Sequence, residues 1–215
     1  MKRFVVSVLA VAFMAPALAQ VPPPDARPQA GLPPKLREVA FDQRLGEPVP
    51  LDAVFRDETG GTVRLGDYFG DRPVILIFAY YTCPMICHDV LTGVASSLAI
   101  IRLNAGEDFQ VVTVSFDPRD TPERAAAAKE AYLGRYGRPE TADGWHFLTG
   151  EPEAIEQLTR AAGFRYEWDP ERQQFAHASG IMVATPTGCP KAGTIQHRRC
   201  ADGSGPARSS HSVHS

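Results

Sequence analysis

The chain has 215 residues, of which 44% are apolar and 22% charged, with a formal net charge of −3. That composition is too apolar for a disordered chain and suffices for one domain of ordinary size. Nothing in it supplies the counterion-release energy that drives nucleic-acid binding, so nucleic acid is not an expected partner.

The distribution is more informative than the totals. Residues 1–19 carry +2 and the last 27 residues carry +3, which leaves −8 for residues 20–188. All 19 aromatic residues precede position 189, whereas the last 27 residues hold two of the four cysteines and three of the six histidines. The chemistry is therefore expected in the acidic middle.

Residues 1–19 read as a secretory signal peptide. Lys2 and Arg3 start it, an apolar run follows from Phe4, and Pro16 precedes the small-residue ending Ala17-Leu18-Ala19. The expected location is the periplasm, where thiols can oxidise, with membrane anchoring if the signal stays uncleaved. Residues 20–35 are proline-rich and read as an extended linker. The folded domain is expected over residues 36–188.

Within it, Ala53–Phe55 and Thr62–Leu65 flank a glycine turn and read as a β-hairpin. Val74–Tyr81 is a continuous apolar run, as a central strand buried on both faces requires. After it Ile86, Val90, Val94, Leu98 and Ile101 fall on one helical face. Phe109–Phe116 reads as a second buried strand. Thr121-Pro122-Glu123 supplies a cap, a first-turn proline and an acid for a helix reaching about Tyr136. A strand at Trp145–Leu148, a helix near Glu153–Ala162, and strands near Phe164–Trp168, Phe175–His177 and Ile181–Thr185 complete the order. Alternating strands and helices predict an α/β fold, its sheet parallel at first and antiparallel at the end.

The sharpest motif is Tyr81-Thr82-Cys83-Pro84-Met85-Ile86-Cys87-His88-Asp89, at the junction of a buried strand and a helix. Ligands gather at such strand ends, and a helix N-terminus favours thiolates. Four-residue spacing puts Cys83 and Cys87 on one helical face, about one turn apart. The pair suits thiol–disulfide exchange, or a shared soft metal ion if a third ligand exists. His88 points about 100° away from Cys87 around the helix. His146 reads as a packed strand histidine, and Met85 as a gap filler. His177 is better placed, in the small-residue loop Ala176-His177-Ala178-Ser179-Gly180. Asp117 and Asp120 read as turn and helix-start residues, with Asp117 the alternative candidate for tuning the thiols. Cys189, His197, Cys200, His211 and His214 match no compact ligand pattern.

Several motifs together resemble the Sco/SenC family of thioredoxin-like copper proteins, which assist cytochrome c oxidase assembly. They are Gly66–Phe69, the Cys-Pro-x-x-Cys of Cys83–Cys87, Ser115–Pro122 with its Asp117-Pro118-Arg119-Asp120-Thr121-Pro122, Trp145–Gly150 and the His177 loop. The resemblance implies a thioredoxin-like mixed sheet flanked by helices, with copper held by Cys83, Cys87 and His177. It implies delivery of copper to an apo cytochrome c oxidase copper-site subunit, with a periplasmic thiol–disulfide reductase or another copper chaperone as a further partner. The enzyme-class alternative is a thiol–disulfide oxidoreductase acting on the oxidase cysteines, with Cys83 attacking and Cys87 resolving.

The chain departs from the family pattern in two places. Ala176 stands where the family often has an acid before the histidine. After Gly188 the family's aromatic strand and C-terminal helix give way to a tail, residues 189–215, without apolar period. That tail reads as disordered and unrelated to the family, consistent with a truncated or frameshifted member of impaired activity. An uncovered apolar sheet surface and an unpaired strand edge are the expected consequence.

Overall fold

In the computed structural model, which describes residues 38–83 and 86–189, the apolar run from Val74 is an inner strand of a four-stranded sheet. Residues 1–37, with the expected signal and linker, Pro84, Met85 and the expected tail from Pro190 lie outside the described residues. The strands are β1 (Ala40–Phe41), β2 (Val54–Arg56), β3 (Thr62–Arg64), β4 (Val74–Ala79), β5 (Gln110–Ser115), β6 (Trp145–Leu148), β7 (Phe164–Asp169), β8 (Gln174–His177) and β9 (Ile181–Ala184). The α-helices are α1 (Ile86–Ile100), α2 (Pro122–Tyr136) and α3 (Pro152–Ala162).

The main sheet runs β6-β5-β4-β9. β4, β5 and β6 are mutually parallel, and β9 lies antiparallel to β4 with Leu76 opposite Met182. This is the mixed sheet the alternating pattern predicts. β4 and β5 are buried almost throughout, which explains why neither shows a polar-apolar alternation. β2 and β3 form the expected hairpin, Phe55 opposite Val63. A second antiparallel sheet, β1-β7-β8, includes a two-residue strand too short to announce itself in the sequence.

Helix α2 begins as its sequence dictates. The Thr121 side chain accepts from the Arg124 amide, Pro122 occupies the first turn, and Gly137 ends the helix at φ 75°. Helix α1 departs from expectation. Its buried face is Cys87, Leu91, Ala95 and Leu98, whereas Ile86 and Ile101 are exposed and Val90 and Val94 half-buried. Two apolar stripes compete on this helix, and the one carrying Cys87 faces the core.

The two sheets are joined by aromatic rings. Phe78 of β4 stacks on Phe164 of β7 at 4.8 Å and meets Phe41 edge-on at 6.1 Å. Phe116, just past β5, contacts Phe164 at 5.2 Å, Tyr166 at 4.8 Å and Phe175 at 5.5 Å. Pairs of this kind contribute about 0.5–1.5 kcal/mol each beyond area burial. They also seat β8 against the C-terminal ends of β4 and β5, which is how the histidine at the end of β8 reaches the cysteines.

On β9 the side chains alternate: Met182 and Ala184 are buried, while Ile181 and Val183 are 49% and 46% exposed. Among the described residues β9 is therefore a sheet edge with an uncovered apolar face. None of the described helices is long and apolar enough to cross a membrane.

Candidate metal centre

β4 and β5 run parallel with Ala79 opposite Ser115, so the segments after them leave the same sheet edge. From β4 the chain turns through Tyr80 to Cys83, whose amide donates to the Tyr80 carbonyl at 3.1 Å. Helix α1 follows, and its first turn carries Cys87. From β5 come Phe116, Asp117 and Asp120, and from β8 comes His177.

These elements bring Cys83, Cys87 and His177 together. Their ligand atoms all lie within 4.8 Å of one another. Cys87 Sγ is 3.4 Å from His177 Nε2, and the Cys87 amide donates to Cys83 Sγ at 3.4 Å. Both cysteines are in the thiol form, Cys83 half-buried and Cys87 buried. His177 Nδ1 lies 2.8 Å from the Ala178 carbonyl. A carbonyl only accepts, so Nδ1 carries a proton, which leaves Nε2 as the ring nitrogen that faces the sulfurs and can offer a lone pair to a metal. The ring is further held by Phe116 at 5.1 Å and by the edge of Tyr80 at 5.8 Å. The backbone of Ala178 thus performs the orientation that the side chain at position 176 cannot.

Two thiolates and one imidazole form a soft, three-ligand set suited to Cu(I) or Zn(II). The Cys87 thiol is pushed well above its ordinary range, first by its hydrogen bond with Cys83 and then by burial. The helix N-terminus therefore does not by itself deliver a thiolate at Cys87; a metal must displace its proton.

The remaining candidates are placed elsewhere. His88 Nδ1 pairs with the Tyr132 hydroxyl at 3.2 Å. His146 Nε2 pairs with Gln110 Oε1 at 3.0 Å, and its ring lies 4.2 Å from Tyr68. Asp117 is held by Arg119, whose Nε and guanidinium NH2 each donate at 2.8 Å to a different carboxylate oxygen. Arg119 itself lies over the Trp168 ring at 4.4 Å. Asp117 is thus committed to Arg119, and the acid that reaches the cysteine loop is Asp120. Asp120 Oδ2 accepts from the Tyr81 amide at 2.7 Å and from the Ser115 hydroxyl at 2.6 Å. The sequence signal for it was its position ahead of the Thr121 cap, which suggested only a helix start. Cys189 is buried, disulfide-bonded and outside the cluster.

Beside the cysteines, a groove of about 480 Å³ opens between α1 and α2. Cys83 and Cys87 form part of its wall, and Ala127, Ala128 and Ala131 line the α2 side.

A family profile described as SCO1/SenC matches residues 49–200. A Stutzerimonas stutzeri protein provisionally described as copper-binding is 27% identical over 118 residues, 53% of this chain and 53% of that protein. The chain thus spans about half the length of this curated relative. A crystal structure from Aquifex aeolicus VF5, provisionally described as an electron transfer protein, is 29% identical with a TM-score of 0.57. That likeness covers 69% of this chain and 82% of the other. The Arabidopsis thaliana ScoI structure with copper bound has a TM-score of 0.53 at 24% identity, covering 65% and 82%; this likeness supports the fold.

Proposed function

The chain belongs to the SCO1/SenC family, and on that premise we propose that it binds Cu(I) through Cys83, Cys87 and His177. It then passes the ion to an apo cytochrome c oxidase copper-site subunit in the periplasm. Copper here is cargo. The observation that carries the reading is the 3.4 Å approach of His177 Nε2 to Cys87 Sγ, with Nδ1 committed to the Ala178 carbonyl. An imidazole fixed this way offers one lone pair to a dithiol, and a three-coordinate site leaves a direction open for an incoming ligand. The donor set fits a soft monovalent ion. The provisional description of the Stutzerimonas stutzeri relative points the same way.

Delivery is tested by loading the reduced chain with Cu(I) and adding the soluble copper domain of an oxidase subunit in its apo, reduced form. The expected result is transfer of one copper per chain, absent from Cys83→Ser and Cys87→Ser. Retention of copper on the wild-type chain would contradict a delivery role.

A second reading, dithiol exchange with the oxidase cysteines, is favoured by one observation. Cys83 is half-exposed to solvent and reachable, whereas Cys87 is 3% exposed and sits behind it. That is the arrangement of an attacking and a resolving thiol.

A further inference from the structure

Cys189 is disulfide-bonded, and neither cysteine of the metal centre is its partner, because Cys83 and Cys87 are both in the thiol form. The chain has four cysteines, and the fourth is Cys200, which lies outside the described residues. Elimination therefore pairs Cys189 with Cys200.

The residues just before Cys189 fix where that bond starts. The Gly188 amide donates to the Thr185 carbonyl at 2.9 Å, and the Thr185 amide donates to the Cys189 carbonyl at 2.8 Å. Gly188 sits in the left-handed region at φ 80°. This is the three-residue hairpin turn that closes on a glycine bulge, and Pro186 suits its first position. The Cys189 amide adds a bond to Thr185 Oγ1 at 3.1 Å. Two other segments fasten the turn: the Val49 amide donates to the Gly188 carbonyl at 3.0 Å, and the Gly70 amide to the Pro186 carbonyl at 3.1 Å. Cys189 is thereby held at 4% exposure.

The turn also sets a direction. β4 occupies one side of β9, so a chain leaving a hairpin turn after β9 heads back along the other side. That side is the free edge of the strand whose Ile181 and Val183 are exposed. Ten residues, 190–199, separate the two cysteines, enough to pass the four residues of β9 and return. Pro190, Lys191 and Gly193 are poor strand formers, so packing and propensity alone hold this segment weakly.

We propose that Cys189–Cys200 is a structural disulfide that clasps the chain beyond β9 into a closed loop at that edge, as a redox pair separate from Cys83 and Cys87. Its formation takes two protons and two electrons from the two thiols. A small-molecule or protein disulfide is the oxidant, its own S–S bond breaking to two thiols as the Cys189–Cys200 bond forms. With both sulfurs committed, neither is available to mispair with the thiols of the metal centre. The cross-link stabilises by restricting the unfolded chain. This inference does not depend on the copper reading.

The test uses the full chain carrying Cys83→Ser and Cys87→Ser, so that neither copper nor a second dithiol takes part. The protein is oxidised with glutathione disulfide, remaining thiols are blocked with iodoacetamide, and the unreduced chain is digested with trypsin and mapped by mass spectrometry. The expected product joins residues 173–191 to residues 200–208, from a chain that runs as a monomer on a non-reducing gel. Reduction should lower the thermal midpoint by about 5 °C or more. It should bring the midpoint to that of Cys200→Ser in the same background, which reductant should not move. Recovery of both cysteines as blocked thiols, or a bond between two chains, overturns the pairing. A linked product whose midpoint is the same before and after reduction overturns the clasp. In the chain with all four cysteines the same linked product is expected, and a bond from Cys189 or Cys200 to Cys83 or Cys87 overturns the separation of the two pairs.

Discussion

The carboxylate of Asp120 accepts a 2.7 Å hydrogen bond from the backbone amide of Tyr81, 39 residues earlier in the chain. It ties the loop that carries Cys83 to the segment that follows β5. The same oxygen accepts from Ser115 at 2.6 Å, and the side chain is fully buried. A buried acceptor serving two donors fixes the loop more firmly than a solvent-exposed one, because neither donor can turn to water.

Asp120→Ala strands the Tyr81 amide and the Ser115 hydroxyl together. The expected loss is about 2–4 kcal/mol of unfolding free energy. Urea unfolding measures it, and hydrogen exchange at the Tyr81 amide localises it: that amide should lose protection before those of β4. Asp117→Ala frees only the half-exposed Arg119 and should cost less. A larger loss at Asp117 than at Asp120 would contradict the assignment.

His146 gives a pH signature away from the cysteines. Its ionisation is lowered from 6.5 to about 4, chiefly by burial, with Glu58 opposing and Lys129 reinforcing the shift. Between these two values the unfolded chain binds a proton that the folded chain refuses, so stability falls as pH drops from about 6.5 toward 4. The loss from this one group is about 2 kcal/mol over that window, after allowance for partial exposure. His146→Gln keeps a hydrogen-bonding group beside Gln110 and removes the titration. Its urea midpoint should change less between pH 7 and pH 5 than that of the wild type. Equal changes in the two proteins would show that His146 protonates as freely when folded.

Glu58 joins the β2–β3 turn to two other elements. One oxygen pairs with Lys129 of α2 at 2.5 Å, and the other accepts from the Phe147 amide of β6 at 3.1 Å. The side chains of Glu58 and Lys129 are 13% and 19% exposed, so solvent screens this pair less than a surface one. Glu58→Gln keeps an acceptor for Phe147 and should cost about 1 kcal/mol, whereas Glu58→Ala leaves that amide unpaired and should cost about 2–3 kcal/mol. Chemical denaturation separates them, and equal costs would mean that the Phe147 bond contributes nothing.

Much of this architecture was readable from the residues because local and global preferences agree. Val74–Ala79 and Gln110–Ser115 are β-rich and buried on both faces, and Thr121-Pro122 starts a helix by its own chemistry. Cys83 and Cys87 were legible from spacing; His177 stood out in a small-residue loop next to an apolar strand, but its place beside them was implied by the family resemblance. What was not legible depends on long-range packing. Helix α1 carries two apolar stripes one residue apart, and only the sheet decides between them. Asp117 and Asp120 lie three residues apart in one turn, and the capture of Asp117 by Arg119 leaves Asp120 to reach Tyr81. Orientation of His177 by a backbone carbonyl has no side-chain signature at all.

The central claim, that Cys83, Cys87 and His177 together hold one Cu(I), is tested most directly by X-ray absorption of the Cu(I)-loaded chain beside His177→Ala, with affinities measured against a Cu(I)-specific chelator. The account predicts two sulfur neighbours and one nitrogen neighbour in the wild type. It predicts loss of the nitrogen in the variant, with affinity lower by about tenfold or more. An identical first shell and an unchanged affinity in His177→Ala would contradict it.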